Sequence, residues 1–544
     1  MNDMVPVNPF HKGELHAQAK TGAGDVAKWA GGFVRDYLPE QHREFHTAQP
    51  FLVVAGGDED GQTWITLLDG PDGFATSPDP RRITLNTTLE ASDPLAAPFA
   101  AGTDIGVLGI ELASRRRNRF SAHVTPNASG YNLDVHQTFG NCPQYIHERS
   151  WSRVAKAEPV QSQKRPDLSS DQIALIGTAD TMFIGSGHFD KSEAASNGYD
   201  ASHRGGTPGF VHVVDSTHLQ IPDYAGNNFF NTIGNIVSDP RIGLVFVDFE
   251  TGGLLHITGR ATIDWDPSGA HVPDAQRLIN VEIDAVISRP EAVGLRWTTK
   301  NHLSRRLRLA RREDETTHIT SFYFEPLDQQ PLASFKAGQH LPIEVQIPGQ
   351  IGTSKRSYSL SGAPENRQHY RFSVKREAQG LVSCFLHNEL SVGSVIETSG
   401  PSGEFVIPSS TCPLVLVSAG VGLTPMVSML HESADTNRPV WYVHGAINSQ
   451  EHALRDEVDA LVTAYDNLQK RIFYSNPIES DVLGRDYDMT GRITVSDLLN
   501  LDAGPEAHYM LCGPAPFLSA IREGLEKRGV PTDKIHLETF GPTA

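Results

Sequence analysis

The run Arg356-Ser357-Tyr358-Ser359 combines side chains that could hold a phosphorylated aromatic ligand. An arginine can neutralise a pyrophosphate, a tyrosine ring can cover a planar ring system, and a serine hydroxyl can hydrogen-bond to a ring nitrogen. Alternate side chains of a β-strand point to opposite faces, so Arg356 and Tyr358 share one face and Ser359 lies on the other. If all three contact one ligand, the strand must bend or the ligand must wrap around it.

Two glycine turns follow, each at the start of an expected helix. Gly380 and Ser383 belong to the first turn (GLVS), where helix-start N–H groups and a hydroxyl suit a pyrophosphate. The second turn, in residues 418–426 (SAGVGLTPM), follows the apolar strand 414–417 and leads into a helix from Pro425. Glycines directly after a parallel strand let a dinucleotide approach the helix N-terminus closely. Both turns therefore suit a nucleotide.

A third glycine turn, residues 511–514 (LCGP), reaches the same sheet edge. In this order, RSYSLS, GLVS, AGVGLTPM, LCGP and ETFGP resemble the ferredoxin–NADP reductase superfamily across residues 303–544, most closely the reductase half of flavohaemoglobins. The resemblance implies FAD in the first part and NAD(P)H on the second. The implied FAD contacts are Arg356, Tyr358, Ser359, Gly380 and Ser383. The implied nicotinamide-nucleotide contacts are Gly420, Gly422, Thr424, Pro425, Cys512, Gly513 and Pro514.

The same resemblance implies the residues around the reacting rings. Ser359 would orient the flavin, Glu538 and Phe540 would lie at the flavin near the nicotinamide, and Cys512 would lie in the nucleotide turn. Hydride transfer requires the two rings to stack in contact, so positioning supplies most of the catalysis. These four residues are our candidates for catalysis.

The sequence does not show whether the nucleotide-binding domain uses NADH or NADPH. A 2′-phosphate requires a cation, and Ile447 and Asn448 offer none where one is expected. Arg455 and Arg485 are the cations whose places the sequence does not fix.

The elements expected to position these residues fall into two groups. Short strands fill residues 303–408, whereas strands alternate with helices over residues 414–540. The expected helices after the first strand run from Pro425, over 450–465 and over 515–528. A barrel followed by an α/β domain is the predicted arrangement.

The first half of the chain contains an internal repeat. Residues 105–125 align without gaps to residues 242–262, and residues 70–74 align to residues 206–210. Short β-branched runs with frequent turns predict a small barrel in each copy, and two copies suggest a pair packed about a pseudo-two-fold axis. A mostly helical cover would precede the repeat, and the polar segment 152–168 would link the copies.

The copies differ where a ligand could bind. An arginine beside glycines can fork onto a phosphate, and Arg204 in copy two is replaced by Leu68 in copy one. Copy two also carries Asn227 and Asn228, whose amides can read a polar ring edge. We expect copy two to bind the ligand and copy one to be its degenerate partner.

Residues 205–248 of copy two (GGTPGF through VFVD) resemble the pyridoxamine 5′-phosphate oxidase-like flavin-binding split barrels. The resemblance implies FMN at the interface of two barrels, with its phosphate on basic and hydroxyl side chains. The implied contacts are Ser202, Arg204, Asn227, Asn228, Asn231 and Thr232. The arginine-rich run 115–119 could reach this interface, but we expect a solvated hairpin tip.

The predicted fold class is multidomain β and α/β: tandem split β-barrels, then a flavin-binding antiparallel β-barrel and a doubly wound parallel α/β nucleotide-binding domain. The predicted domains are residues 1–44, 45–150, 165–290, 303–408 and 409–544. The predicted function is an NAD(P)H-dependent flavoprotein that passes hydride to FAD and electrons to FMN or an external acceptor. The first alternative is a haem-binding barrel, with His188, His203 and His212 as ligand candidates. The second is a docking or sensing barrel on a reductase that serves a separate oxygenase.

Composition excludes several other classes. With 46 Lys and Arg against 65 Asp and Glu, the net charge is −19, which disfavours nucleic acid as a partner. No apolar run is long enough for a membrane span, and the first residues do not resemble a secretory signal. The four cysteines are dispersed, so we expect reduced thiols, no bound metal and a cytoplasmic location. The sequence identifies neither the electron acceptor nor the oligomeric state.

Overall fold

The computed structural model describes residues 9–28, 30, 34–140, 145–156, 162–190, 196–267, 275–299, 305–348, 353–378, 380–434 and 436–539. The chain divides near residue 300 into two compact units.

Copy one of the repeat forms an antiparallel sheet with strand order β3-β2-β6-β7-β8-β5-β4, and β1 pairs with β8. The N-terminal cover and copy one comprise α1 (Lys12–Lys20), β1 (Val34–Arg35), α2 (Glu40–Thr47), β2 (Phe51–Gly57), β3 (Thr63–Asp69), β4 (Ala75–Asp79), β5 (Arg82–Leu85), α3 (Ala96–Ala101), β6 (Thr103–Glu111), β7 (Arg116–Pro126) and β8 (Tyr131–Gly140).

Copy two repeats this order as β12-β11-β15-β16-β17-β14-β13, and β10 pairs with β17. Its elements, with the flanking strands, are β9 (Arg149–Arg153), β10 (Lys164–Arg165), α4 (Ser170–Thr178), β11 (Thr181–His188), β12 (Gly198–Gly205), β13 (His212–Asp215), β14 (His218–Asp223), α5 (Asn231–Ser238), β15 (Arg241–Asp248), β16 (Gly253–Asp264), β17 (Arg277–Arg289) and β18 (Leu295–Thr299). The pairing of β9 with β18 was not expected, because β9 overlaps the predicted linker. Trp297 explains it, since its side chain is buried against Phe51 and Phe249.

The two copies match in register as well as in strand order. A bulge follows Ser121 in β7 and Thr258 in β16, and these two residues are counterparts in the repeat. The copies also approach each other in equivalent ways. A Cβ on Gly106 would lie 2.6 Å from the Tyr199 carbonyl oxygen, and one on Gly243 would lie 2.8 Å from that of Thr63. Each glycine therefore allows backbone-to-backbone packing across a pseudo-two-fold interface.

The carboxy-terminal unit begins with a six-stranded antiparallel sheet, in the order β22-β21-β24-β19-β20-β23. Its core includes Leu341, Phe372 and Leu386. Its elements are β19 (Arg305–Asp314), β20 (Ile319–Pro326), β21 (His340–Val345), β22 (Ser354–Ser359), β23 (Tyr370–Lys375), α6 (Leu381–Asn388) and β24 (Val395–Thr398).

A parallel sheet follows, in the order β28-β27-β26-β25-β29-β30. Its apolar central strands and α7 share one core, which is typical of a parallel sheet covered by helices. The elements are β25 (Leu414–Ala419), α7 (Leu423–Ser433), β26 (Val440–Ala446), α8 (Arg455–Ala464), β27 (Leu468–Tyr474), β28 (Met489–Thr490), α9 (Val495–Leu499), β29 (His508–Gly513), α10 (Ala515–Lys527) and β30 (Ile535–Thr539).

Two helix starts differ from those predicted. The helix α7 begins at Leu423, because a 3-10 turn over Gly420–Gly422 leads directly into it, and Pro425 occupies its first turn. The helix α8 begins at Arg455 instead of residue 450, because Leu454 has a φ of 55° and interrupts the helical backbone. Among the described residues, no helix is long and apolar enough to cross a membrane.

Candidate functional site

Strand β22 presents the first predicted contacts at the edge of the antiparallel sheet. The Tyr358 ring stacks on Phe372 of β23, with centroids 5.3 Å apart and an interplanar angle of 13°. Burial raises the pKa of Tyr358, so its phenol stays protonated. Arg356 is partly buried, whereas Ser359 is buried. Exposure alternates from Lys355 to Tyr358, whereas Ser359 is buried although it shares the face of the exposed Lys355 and Ser357.

The predicted pyrophosphate turn lies at the start of α6. A Cβ on Gly380 would lie 2.4 Å from Ser383 Oγ, so a larger residue there would displace this hydroxyl. Ser383 Oγ donates to the Gly380 carbonyl at 2.9 Å and accepts from the Glu377 N–H at 3.2 Å. Within the described residues, no side chain caps α6. Its first N–H groups can therefore bind an anion, while the Ser383 hydroxyl shapes the turn.

The two glycine turns of the parallel sheet pack against each other at the carboxyl ends of β25 and β29. A Cβ on Gly422 would lie 2.3 Å from the Cys512 carbonyl oxygen. Gly420 has a φ of 55°, which glycine adopts without strain. This edge brings together the seven residues predicted to contact a nicotinamide nucleotide: Gly420, Gly422, Thr424, Pro425, Cys512, Gly513 and Pro514.

Three adjacent strands place Ser418, Cys512 and Glu538 in one row at this edge. The Cys512 side chain is fully buried, and its burial and the charge of Glu538 raise the pKa of its thiol. Cys512 therefore contributes a neutral thiol rather than a nucleophile. The fourth catalytic candidate, Phe540, lies outside the described residues.

Carboxylates dominate the loops after β26 and β27, where the adenosine end of a dinucleotide would lie. The side chains of Arg455 and Arg485 both donate to Asp486, each at 2.8 Å. Asp481 accepts from the N–H groups of Ser449 at 3.4 Å and Ile478 at 3.0 Å. Both arginines left unplaced by the sequence are thus engaged by Asp486.

The amino-terminal unit contains a cavity of about 110 Å³ between the two copies. Both copies line it, copy one with Arg117, Arg119 and Tyr145. The cavity brings together all six predicted FMN contacts: Ser202, Arg204, Asn227, Asn228, Asn231 and Thr232.

Arg119 connects the copies beneath this cavity. Its guanidinium donates to Asp200 and to Ser202 Oγ at 2.8 Å each, and to Asn231 Oδ1 at 3.0 Å. The expected solvated hairpin tip is therefore wrong for Arg117 and Arg119. Alternate residues of β7 point to one face, and that face packs against copy two.

The cavity has a basic wall with one carboxylate. Asp223 lies 3.5 Å from the Arg204 guanidinium and accepts from Arg277 Nε at 2.9 Å. Burial and the charge of Arg117 lower the pKa of His203 well below its ordinary value, so its ring is neutral. Among the described residues, none hydrogen-bonds to His203 Nε2 or Arg204 Nε, although both atoms are buried. Buried polar atoms of this kind fit a polar ligand.

The opposite wall of the cavity is a strained loop. Asn228 and Phe230 have φ values of 58° and 59°, and Tyr145 has a φ of 64°. The Tyr145 ring stacks on Tyr224 at 5.1 Å. Non-glycine residues in left-handed conformations cluster at ligand sites, which agrees with this position.

The three histidines of the haem alternative lie on different strands. His188 stacks on His11 with ring centroids 3.9 Å apart, His203 lines the cavity, and His212 is on β13. In the described part of the chain, no group of three or more His, Cys, Asp and Glu residues could hold a metal ion.

Sequence reasoning missed the contribution of copy one to the cavity. Arg117, Arg119 and Tyr145 come from it, and Asp223 and Arg277 from copy two were not singled out either. The available signal was the spacing of Arg117 and Arg119, which places both on one face of a strand.

Two family descriptions match the carboxy-terminal unit. Residues 306–407 match the oxidoreductase FAD-binding domain, and residues 416–523 match the oxidoreductase NAD-binding domain. The chain is 42% identical over 245 residues to a flavohemoprotein of Rhizobium meliloti (strain 1021), covering 44% of this chain. It is 40% identical over 241 residues to a flavohemoprotein of Deinococcus radiodurans, again covering 44%. The chain spans 60% of the length of each of these curated relatives.

A solved structure is similar over the same region. It is the flavohem-like FAD/NAD binding domain of nitric oxide dioxygenase from Vibrio cholerae O1 biovar El Tor, 33% identical, with a TM-score of 0.40. The match covers 44% of this chain and 99% of that one. The two family matches and the flavohemoprotein relatives indicate that the carboxy-terminal half is a flavin-dependent NAD(P)H oxidoreductase module, with an FAD-binding domain followed by an NAD-binding domain.

Proposed function

We propose that the protein takes hydride from NADH onto FAD in its carboxy-terminal unit. Electrons then pass to FMN between the two amino-terminal copies, or to an external acceptor. The observation that carries the first step is the packing of Gly422 against Cys512, which brings the two glycine turns together at the carboxyl edge of the parallel sheet. The cavity lined by all six predicted FMN contacts supports the second.

The residues of the carboxy-terminal unit bind and orient. FAD, when bound, supplies a ring that accepts hydride and releases electrons. Tyr358 and Ser359 would hold that ring, and the first N–H groups of α6 would hold the pyrophosphate. Glu538 and the neutral Cys512 thiol would flank the nicotinamide. Their task is positioning, because hydride transfer depends on the contact geometry of two rings.

The nucleotide chemistry favours NADH. Asp486 engages both Arg455 and Arg485, and Asp481 adds a second carboxylate to the same loops. A 2′-phosphate would have to compete with Asp486 for both guanidinium groups, whereas a 2′-hydroxyl needs no cation and can donate to a carboxylate. We therefore expect NADH to reduce the protein more efficiently than NADPH does.

The cavity residues fit FMN. The Arg204 guanidinium and the buried His203 Nε2 offer polar contacts, and the Tyr145–Tyr224 pair offers an aromatic wall. Asn227 accepts from the Phe229 N–H at 3.2 Å through Oδ1, which leaves its NH₂ group to donate to a ring edge.

We predict that Arg204→Leu lowers the FMN content by about tenfold or more and leaves the FAD content unchanged. The substitution copies Leu68, which occupies the equivalent place in copy one, and it removes a charge-assisted contact. Cofactors released from the purified protein are quantified as FMN and FAD. Arg260→Leu is the control, because Arg260 is exposed on β16.

Undiminished FMN in Arg204→Leu would contradict the assignment. The absorption spectrum separates the alternatives, since the flavohemoprotein relatives are haem proteins by name. A Soret band in the purified protein would indicate bound haem in place of FMN. A spectrum of FAD without a second cofactor would favour the docking or sensing barrel. A cytoplasmic location stays part of the proposal, supported by the free thiols of Cys384, Cys412 and Cys512.

A further inference from the structure

The pseudo-two-fold arrangement of the copies creates two equivalent positions for a ligand. In the first, β7 of copy one faces β12 of copy two, and this position is the cavity. In the second, β16 of copy two faces β3 of copy one. Because the two copies share one strand register, each residue of the first position has a single counterpart in the second. Arg117 corresponds to Leu254, Arg119 to His256, Ser202 to Thr66, His203 to Leu67 and Arg204 to Leu68.

The first position depends on both copies. Arg117 of copy one lies 3.0 Å from His203 Nδ1, measured from its Nη1 atom, and both residues line the cavity with Arg204. Copy one therefore supplies part of the ligand wall and is more than a degenerate partner.

The second position is filled by apolar side chains. Leu254 and Leu67 are both buried and belong to one core cluster with residues of the two copies. His256, the counterpart of Arg119, is fully buried, and its Nδ1 lies 3.0 Å from the Ile65 carbonyl oxygen. Burial lowers the pKa of His256 to about 4, so it brings no charge.

A closed ion cluster occupies the rest of the second position. Arg289 Nη1 donates to Asp93 at 2.5 Å, and its Nη2 donates to Glu90 at 2.9 Å. Thr66, the counterpart of Ser202, donates its hydroxyl to the same Asp93 at 2.6 Å. The charges and the hydroxyl that could attract an anionic ligand are thus satisfied within the protein.

We propose that the amino-terminal unit binds one phosphorylated ligand per chain, in the first position only, and that Arg117 of copy one is a ligand-binding residue. The second position is a structural core that fixes the two copies together. The identity of the ligand as FMN rests on the proposed function, whereas the one-sided occupancy rests on the residue differences between the two positions.

The test is a calorimetric titration of FMN into the full chain after its FMN has been removed and its FAD site loaded. The expected stoichiometry is one FMN per chain. Arg117→Leu, which copies Leu254, should raise the Kd by about tenfold or more through loss of a charge-assisted contact. The Kd of Arg117→Lys, which keeps the charge, should lie between that of the unmodified protein and that of Arg117→Leu. Arg116→Leu should leave the Kd unchanged, because Arg116 is exposed on the same strand.

The outcomes distinguish this inference from the proposed function. Two FMN per chain would overturn the inference and leave FMN binding in place. An unchanged Kd for FMN in both Arg117 variants would also overturn the inference and leave FMN binding in place. Absence of any FMN binding would overturn the proposed function and the inference together. The FAD content and melting temperature of each variant establish that it is folded.

Discussion

Individual residues were predictable where their type and spacing define a chemistry. The structure has the glycine turns and the Arg356–Ser359 strand where the sequence predicts them, because both have local signals in residue type and order. Arg119 could not, because an arginine on a strand is equally suited to solvent and to a buried network. Only the three-dimensional pairing with Asp200 and Ser202 distinguishes the two.

A second residue invisible to sequence patterns is Glu14 on α1. Its side chain is buried beside the ligand cavity, where it accepts from the His11 N–H at 2.8 Å and from the Asn231 amide. Burial raises the pKa of Glu14 to about 8. The carboxyl is therefore largely protonated near neutral pH in the folded protein, whereas in the unfolded chain it is ionised.

We predict that Glu14→Gln reduces the loss of stability that the protein shows between about pH 5 and about pH 8. The folded-state pKa of Glu14 exceeds its unfolded value, so this group favours folding at low pH, and that contribution is lost as pH rises toward 8. Glutamine carries no charge at any pH, and because its NH₂ group cannot accept as both Glu14 oxygens do, the readout is the pH dependence and not the absolute stability. Melting temperatures across this range provide the measurement. Equal pH dependence in the two proteins would contradict the prediction.

At the scale of elements, the strands and helices of the parallel sheet follow from apolar runs and glycine turns. The pairing of β9 with β18 does not follow from such local patterns, because the two strands are separated by more than a hundred residues and no local signal selects a partner. The repeat, by contrast, allowed most of copy two to be predicted from copy one, since equal spacing of apolar residues fixes equal register.

An ion network joins elements of the two carboxy-terminal sheets. Arg371 of β23 donates to both oxygens of Glu457 on α8, at 2.6 and 2.9 Å, and it also donates to the Ser361 carbonyl behind β22. His431 of α7 contacts the same carboxylate at 2.5 Å. Despite burial, the hydrogen bonds with His431 and Arg371 and the charge of Arg371 hold the pKa of Glu457 at about 2, so its carboxylate stays ionised at neutral pH.

We predict that Glu457→Gln slows reduction of FAD by NADH by about tenfold or more. The substitution would weaken the contact of α8 with β23 of the antiparallel sheet and so misplace the nicotinamide. The substitution should also lower the free energy of unfolding by about 3 kcal/mol, because the buried Arg371 would lose its carboxylate partner. Anaerobic stopped-flow absorbance and thermal unfolding are the measurements. Asp456→Asn is the control, because Asp456 is exposed on the same helix. A normal reduction rate in Glu457→Gln would show that the network does not position the nucleotide.

At the scale of the whole molecule, one chain combines a repeated β unit with a reductase. The carboxy-terminal unit agrees with what its motifs predict, because nucleotide turns are local and sequential. The amino-terminal site spans two copies, so it emerges only when both are folded against each other. The protein is proposed to take up hydride in a unit whose turns follow from local motifs. It is proposed to use electrons at a cavity whose copy-two residues the sequence predicted, but whose copy-one residues it did not.

The central claim is that the carboxy-terminal unit stacks reduced nicotinamide against bound flavin. The most direct measurement mixes the purified, FAD-loaded protein anaerobically with NADH and, separately, with NADPH while the visible flavin absorbance is followed. We expect rapid bleaching with NADH, about tenfold or more faster than with NADPH at equal low concentrations. Flavin that stays oxidised and yellow with both nucleotides would contradict the central claim.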